Sequence, residues 1–139
     1  MEDIRKVLSQ FKKKKETQLQ KSQVRPPSTA TTSEIPDLFF DFVLLKIKLN
    51  RMEIALLMLL YRQVWCRPNL YRSHGIGPLN SYSDLCQTLN INAEELGTLL
   101  RNLETFGLIE TVRSGQYFVR KYFLEELDLQ YSQNYDEFL

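Results

Sequence analysis

The sequence is poor in the residues that most protein chemistry needs. Its 139 residues contain one histidine and two cysteines. Cys66 and Cys86 form no CxxC pair, and His74 stands at no standard ligand spacing from either, so the three cannot build a zinc site by themselves. His74 also lacks a nearby nucleophile or acid in any pattern that supports general-base catalysis. Gly75 and Gly77 are followed neither by a Lys-Ser/Thr pair nor by a helix start, which excludes a phosphate-cradling loop. GxSxG and HExxH are absent. No enzyme, metal or cofactor is expected. Five glycines and five prolines are too few for a collagen-like or globally disordered chain. No apolar run approaches the roughly 18–20 residues that span a bilayer. The longest, Ile54 to Tyr61, is the length of a buried helix segment, so no membrane partner is expected. The start, MEDIRKVLSQFKKKK, has no hydrophobic stretch or small-residue cleavage site, so the expectation is a cytoplasmic protein without a leader and with two structural thiols.

Hydrophobic residues make up 43% of the chain and aromatics 12%, enough for one packed domain. The net charge of +1 hides an uneven distribution. Residues 1–33 hold eight basic side chains against three acidic ones, whereas residues 124–139 hold five acidic and no basic ones. Such asymmetry suggests a tail that meets a polyanion or an acidic surface. Residues 1–35 read as a basic, disordered extension. Within it, 3–21 can form a short helix with Ile4, Val7, Leu8 and Phe11 on one face, and VRPPSTATTSEIP is a linker too polar to bury a core. Lys12, Lys13, Lys14 and Lys15 are candidates for phosphate contact, with a solubilising tail as the equal alternative.

A domain is predicted over 36–123. DLFFDFVLLKIKL, from Asp37, reads as a strand or as a short helix followed by an extended piece. Asn50 and Glu53 have the spacing of a capping box and open a helix running to about Cys66, with Ile54, Leu57, Leu60, Tyr61 and Val64 as its core stripe. Residues 67–80 read as a loop whose Arg67, Arg72 and His74 can reach a phosphate or simply face solvent. Ser81 opens a second helix with Leu85, Cys86 and Leu89 inward. Asn90-Ile91-Asn92 forms a turn, and Asn92 with Glu95 starts a third helix, over 93–106, carrying Leu96, Leu99, Leu100, Leu103 and Phe106. Gly107 ends it. Leu108 to Arg113 and Gln116 to Phe123, separated by Ser114-Gly115, form a hairpin. Residues 124–139 read as an acidic amphipathic helix with Leu124, Leu127 and Tyr131 on one face.

Together these elements predict a mainly α fold with a small β hairpin. SYSDLCQTLNINAEELGTLLRNLETFGLIETVRSGQYFV resembles the winged helix-turn-helix stretch of MarR-like and ArsR-like regulators and of plasmid and phage replication proteins. The matching residues are Asp84, Leu85, Leu89, Ile91, Leu96, Leu100, Leu103, Glu104, Gly107, Leu108 and Ile109, and the resemblance covers about residues 50–123. It implies that helix 93–106 enters the major groove of double-stranded DNA and that the 108–123 wing touches the flanking backbone. The residues this assigns to DNA are Thr98, Arg101, Asn102 and Thr105 on the helix, and Arg113, Ser114, Gln116 and Arg120 on the wing. Arg101 matches guanine and Asn102 matches adenine.

Glu94 and Glu95 count against that reading, because carboxylates at the helix start favour its dipole but repel phosphate. The expected function is a transcriptional regulator. The alternatives are a replication initiator of mobile DNA and a protein-interaction module without direct DNA reading. A homodimer is expected because palindromic sites require two-fold symmetry. Its expected surfaces, and those for any other protein partner, are helix 50–66 and the acidic C-terminal segment.

Overall fold

A computed structural model describes residues 32–130. The basic helix expected over 3–21, Lys12 to Lys15 and the end of the C-terminal segment lie outside those residues. The described chain is mainly helical, with one small antiparallel hairpin.

The first helix, α1, is a π-helical turn, Phe39–Val43, that continues into Leu44–Lys46. Of the two readings of this stretch, the helix holds, and the chain becomes extended at Ile47. Phe39 and Val43, one turn apart, bury their side chains, which leaves the opposite face outward.

Helix α2, Arg51–Tyr61, extends through a π-helical turn, Arg62–Cys66, to the expected end. Its capping box is complete. The Asn50 Oδ1 accepts from the Glu53 N–H at 2.8 Å, and the Glu53 carboxylate accepts from the Asn50 N–H at 2.8 Å. Leu56, Leu57, Leu60, Tyr61 and Val64 are buried, while Ile54 is only half-buried, so the core stripe is rotated slightly from the predicted one.

Helices α3, Tyr82–Leu89, and α4, Ala93–Thr105, follow the punctuation in the sequence. Asn90 takes the left-handed conformation that asparagine tolerates better than other side-chain-bearing residues. The Ile91 N–H then donates to the Cys86 carbonyl and the Asn90 N–H to that of Gln87, capping α3. Gly107 repeats the device at φ +75°, with Leu108 donating to Leu103 and Gly107 to Glu104. Asn92 accepts from the Glu95 N–H, but the return bond to the Glu95 carboxylate comes from the Asn92 side-chain amide, so this box is not the reciprocal backbone kind. Leu96, Leu99, Leu100 and Leu103 form the buried stripe of α4, whereas Phe106, expected in that stripe, is exposed.

Strands β1, Ile109–Arg113, and β2, Gln116–Val119, pair antiparallel around the Ser114-Gly115 turn, with a register shift between Thr111 and Arg113. The expected loop 67–80 does more than connect. Ile76 forms a bridge with Phe118, the Gly77 N–H donates to Tyr117, and the Val119 N–H donates to Gly75. Residues 75–77 therefore line the second edge of β2, which becomes a central strand buried at every position.

The core closes around aromatics. Phe123 stacks on Tyr61 with centroids 5.1 Å apart and lies 5.8 Å from Phe39. Phe123 holds φ at +68°, costly for a bulky side chain, and full burial between α1 and α2 offsets that cost. Trp65 donates its indole N–H to the Val119 carbonyl at 3.0 Å. Beyond the hairpin, the described part of the acidic segment contains a 3-10 turn, Glu125–Leu127, in place of the expected amphipathic helix. No helix among the described residues is long and apolar enough to cross a membrane.

Candidate nucleic-acid interface

The outer face of α4 combines the expected polar residues. Thr98, Arg101 and Thr105 are exposed and Asn102 is half-buried. Their spacing along the helix sets them on one side, because the Leu96, Leu99, Leu100 and Leu103 stripe holds the other side in the core. The hydroxyls are partly committed. Thr98 donates to the Glu94 carbonyl and Thr105 to the Arg101 carbonyl, each one turn back. What they offer outward is a methyl group and oxygen lone pairs. Arg101 gives one N–H to the Thr98 hydroxyl at 3.4 Å, which orients the guanidinium along the helix and leaves its other donors available for an edge or a phosphate.

The tertiary structure adds a cation that sequence spacing did not suggest. Arg51, the first residue of α2, lines a recess of about 490 Å³ together with Glu94, Glu95 and Thr98 at the start of α4. Met52, Ile91 and Leu99 supply its apolar lining. Arg51, an exposed residue, therefore shares a recess with the two glutamates that count against phosphate approach. The local signal for it was absent because Arg51 is about forty residues before α4 and meets it only through helix packing.

At the hairpin, Arg113 and Ser114 are exposed at the turn. Gly115 has φ +88°, and the Asn80 N–H donates to its carbonyl at 2.7 Å, pinning the turn to the start of α3. Leu79, 63% exposed, stands next to this tip and was not anticipated as a surface residue.

Gln116 and Arg120, by contrast, are not outward contacts. The winged-helix resemblance assigns both to DNA as wing residues, which requires their side chains to face water. Here the 75–77 segment covers β2, and Gln116, 3% exposed, donates to the Gly77 carbonyl at 3.1 Å. Its Oε1 has no hydrogen-bond partner among the described residues. Arg120, 4% exposed, donates through Nε to the Gly107 carbonyl at 2.6 Å, reaches the Glu110 carboxylate at 3.3 Å and forms an ion pair with Asp128. Its guanidinium also lies 5.4 Å from the Phe118 ring centroid. It ties the end of α4, the hairpin and the C-terminal turn together.

Of the arginines in and before the loop, Arg62 and Arg72 are exposed and Arg67 is half-buried. Lys121 lies 5.4 Å from the Trp65 ring centroid and 5.7 Å from that of Tyr122. Burial pushes the hydroxyls of Tyr61 and Tyr117 above the ordinary tyrosine range. Tyr61 donates its hydroxyl proton to the Lys121 carbonyl at 2.8 Å, so both serve as neutral structural groups. Among the described residues, no three His, Cys, Asp or Glu side chains come together in a way that would hold a metal ion. Compared with protein-family models, with characterised proteins and with solved structures, the chain matches none.

Proposed function

We propose that this protein is a winged helix-turn-helix DNA-binding protein, acting as a transcriptional regulator. In this reading α4 enters the major groove and the Arg113-Ser114 turn contacts the flanking backbone. The observation that carries the reading is the outer face of α4, where Arg101, braced on Thr98, stands among Asn102 and Thr105 on a helix whose opposite face is core. The order helix, edge segment, helix, tight turn, helix and hairpin also supports it. Arg101 carries the base preference and Arg113 the phosphate attraction, aided by Arg51. The lysines at 12–15 supply further sequence-independent attraction.

Selection of bound duplexes from random DNA with the full chain, followed by affinity measurements over a salt series, tests this. Arg101→Ala is expected to relax one base preference at a cost of about 1–3 kcal/mol, and Arg113→Ala to weaken all sequences alike and lower the salt slope by about one. Replacing Lys12 to Lys15 by Gln lowers affinity without altering the selected sequence. No duplex binding at low salt would remove the reading altogether, and an Arg101→Ala protein with unchanged preference would remove α4 as the reader. A second reading, a platform for another protein, is favoured by one feature: the α4 start presents Glu94 and Glu95 around an apolar recess. Binding that is confined to protein partners, with none to DNA, would select it.

A further inference from the structure

Among the described residues, helix α1 leaves an uncovered apolar stripe. Residues 40, 41, 44, 45 and 46 are its exposed positions, and among them 40, 44 and 45 stand at the i, i+4, i+5 spacing that keeps side chains on one side of a helix. Three of the five are large and apolar: Phe40 is 50% exposed, Leu44 43% and Leu45 71%. The opposite face, Phe39 and Val43, already occupies the core, so α1 cannot turn the stripe inward.

The charges around this stripe specify its partner. Asp37 and Asp41 are exposed at the beginning of the segment, and Lys46 and Lys48 are exposed at its end. A segment acidic at one end and basic at the other is complementary to itself when reversed. A two-fold axis passing between positions 42 and 43 sets Phe40 against Leu45 and brings Asp37 toward Lys48 of the second copy, twice over. A parallel arrangement would put like charges together. The stripe also continues past the helix. Phe40 walls a groove of about 520 Å³ bordered by Ile54, Ala55, Met58 and Leu59 of α2.

We infer that a second copy of this chain covers this face, α1 lying antiparallel against α1 in an isologous homodimer. This differs from the surfaces expected from sequence. The buried stripe of α2 is occupied by its own core, and α2 contributes only the groove wall. The inference does not rest on DNA reading, because mass reports it without DNA.

Sedimentation velocity and light scattering on the full chain at micromolar concentrations test it, with twice the 16.4 kDa chain mass expected. Leu45→Glu should raise the dissociation constant about tenfold or more, the effect of losing one central anchor and burying a charge. Leu45 is largely outside the core, so circular dichroism of that variant should match the parent. Asp37→Lys with Asp41→Lys should weaken the dimer, and adding Lys46→Glu with Lys48→Glu should restore it. A monomer at tens of micromolar overturns the inference. So does a dimer indifferent to Leu45→Glu, or one that the double charge reversal fails to restore.

Discussion

Replacing Arg120 by Met tests whether this side chain is a structural tie, not a DNA contact. Its guanidinium side chain is 5% exposed and pairs with Asp128, itself 13% exposed, while its Nε satisfies the Gly107 carbonyl. Methionine keeps much of the volume but strands the Asp128 carboxylate in a site that water reaches poorly. Removing one partner of a buried pair costs about 3–5 kcal/mol. The Glu110 contact adds little, because that carboxylate is 38% exposed and screened. For a domain of this size each kcal/mol moves the thermal midpoint by about 4–8 °C, so a fall of about 12 °C or more is expected in a calorimetric scan. Arg120→Met combined with Asp128→Leu should recover most of the loss, since neither charge then needs compensation. Two results would refute the reasoning. One is an Arg120→Met midpoint within a few degrees of the parent. The other is a double variant as unstable as the single one. A DNA contact would behave differently, lowering duplex affinity while leaving the midpoint in place.

The two left-handed glycines that shape the hairpin should differ in cost. A Cβ on Gly115 would clash with the Asn80 carbonyl oxygen, whereas one on Gly107 meets nothing within 4 Å among the described residues. Gly107→Ala should cost about 1–2 kcal/mol of backbone strain, and Gly115→Ala clearly more, read as urea midpoints; equal midpoints would contradict the pinned turn. Burial raises the Tyr61 hydroxyl above its unfolded value, so the folded protein holds this proton longer than the unfolded chain. Stability from this group is complete below about pH 10 and is lost as pH rises further. Tyr61→Phe should flatten that alkaline decline and cost about 1 kcal/mol at neutral pH through the missing bond to Lys121. An alkaline unfolding curve unchanged by the substitution would assign the decline to other groups.

Much of the architecture was legible from short-range chemistry. Asn50 with Glu53, Ser81, Asn92 and Gly107 mark helix ends because the groups that satisfy a terminus lie within four residues of it. The α4 stripe was legible because a 3.6-residue period reports one buried face, and the tight turn because Ser114-Gly115 leaves few other conformations. What the local pattern could not carry was which side of each strand meets water. The resemblance of the wing put Gln116 and Arg120 on the surface, and the reading failed because Gly75 to Gly77, some forty residues earlier, lie along the other edge of the strand.

The sequence by itself determined where the helices begin and end, which face of α4 is core, and that Thr98, Arg101, Arg113 and Ser114 stay outside it, since each depends on neighbours within a turn or two. Only the tertiary structure decided that Arg120 is a buried tie, that Arg51 shares a recess with the acidic start of α4, and that Phe40, Leu44 and Leu45 are left exposed among the described residues. Those outcomes depend on which distant surfaces pack together, and the desolvation of a charge or an apolar side chain is set by that packing, not by the residues next to it in the chain.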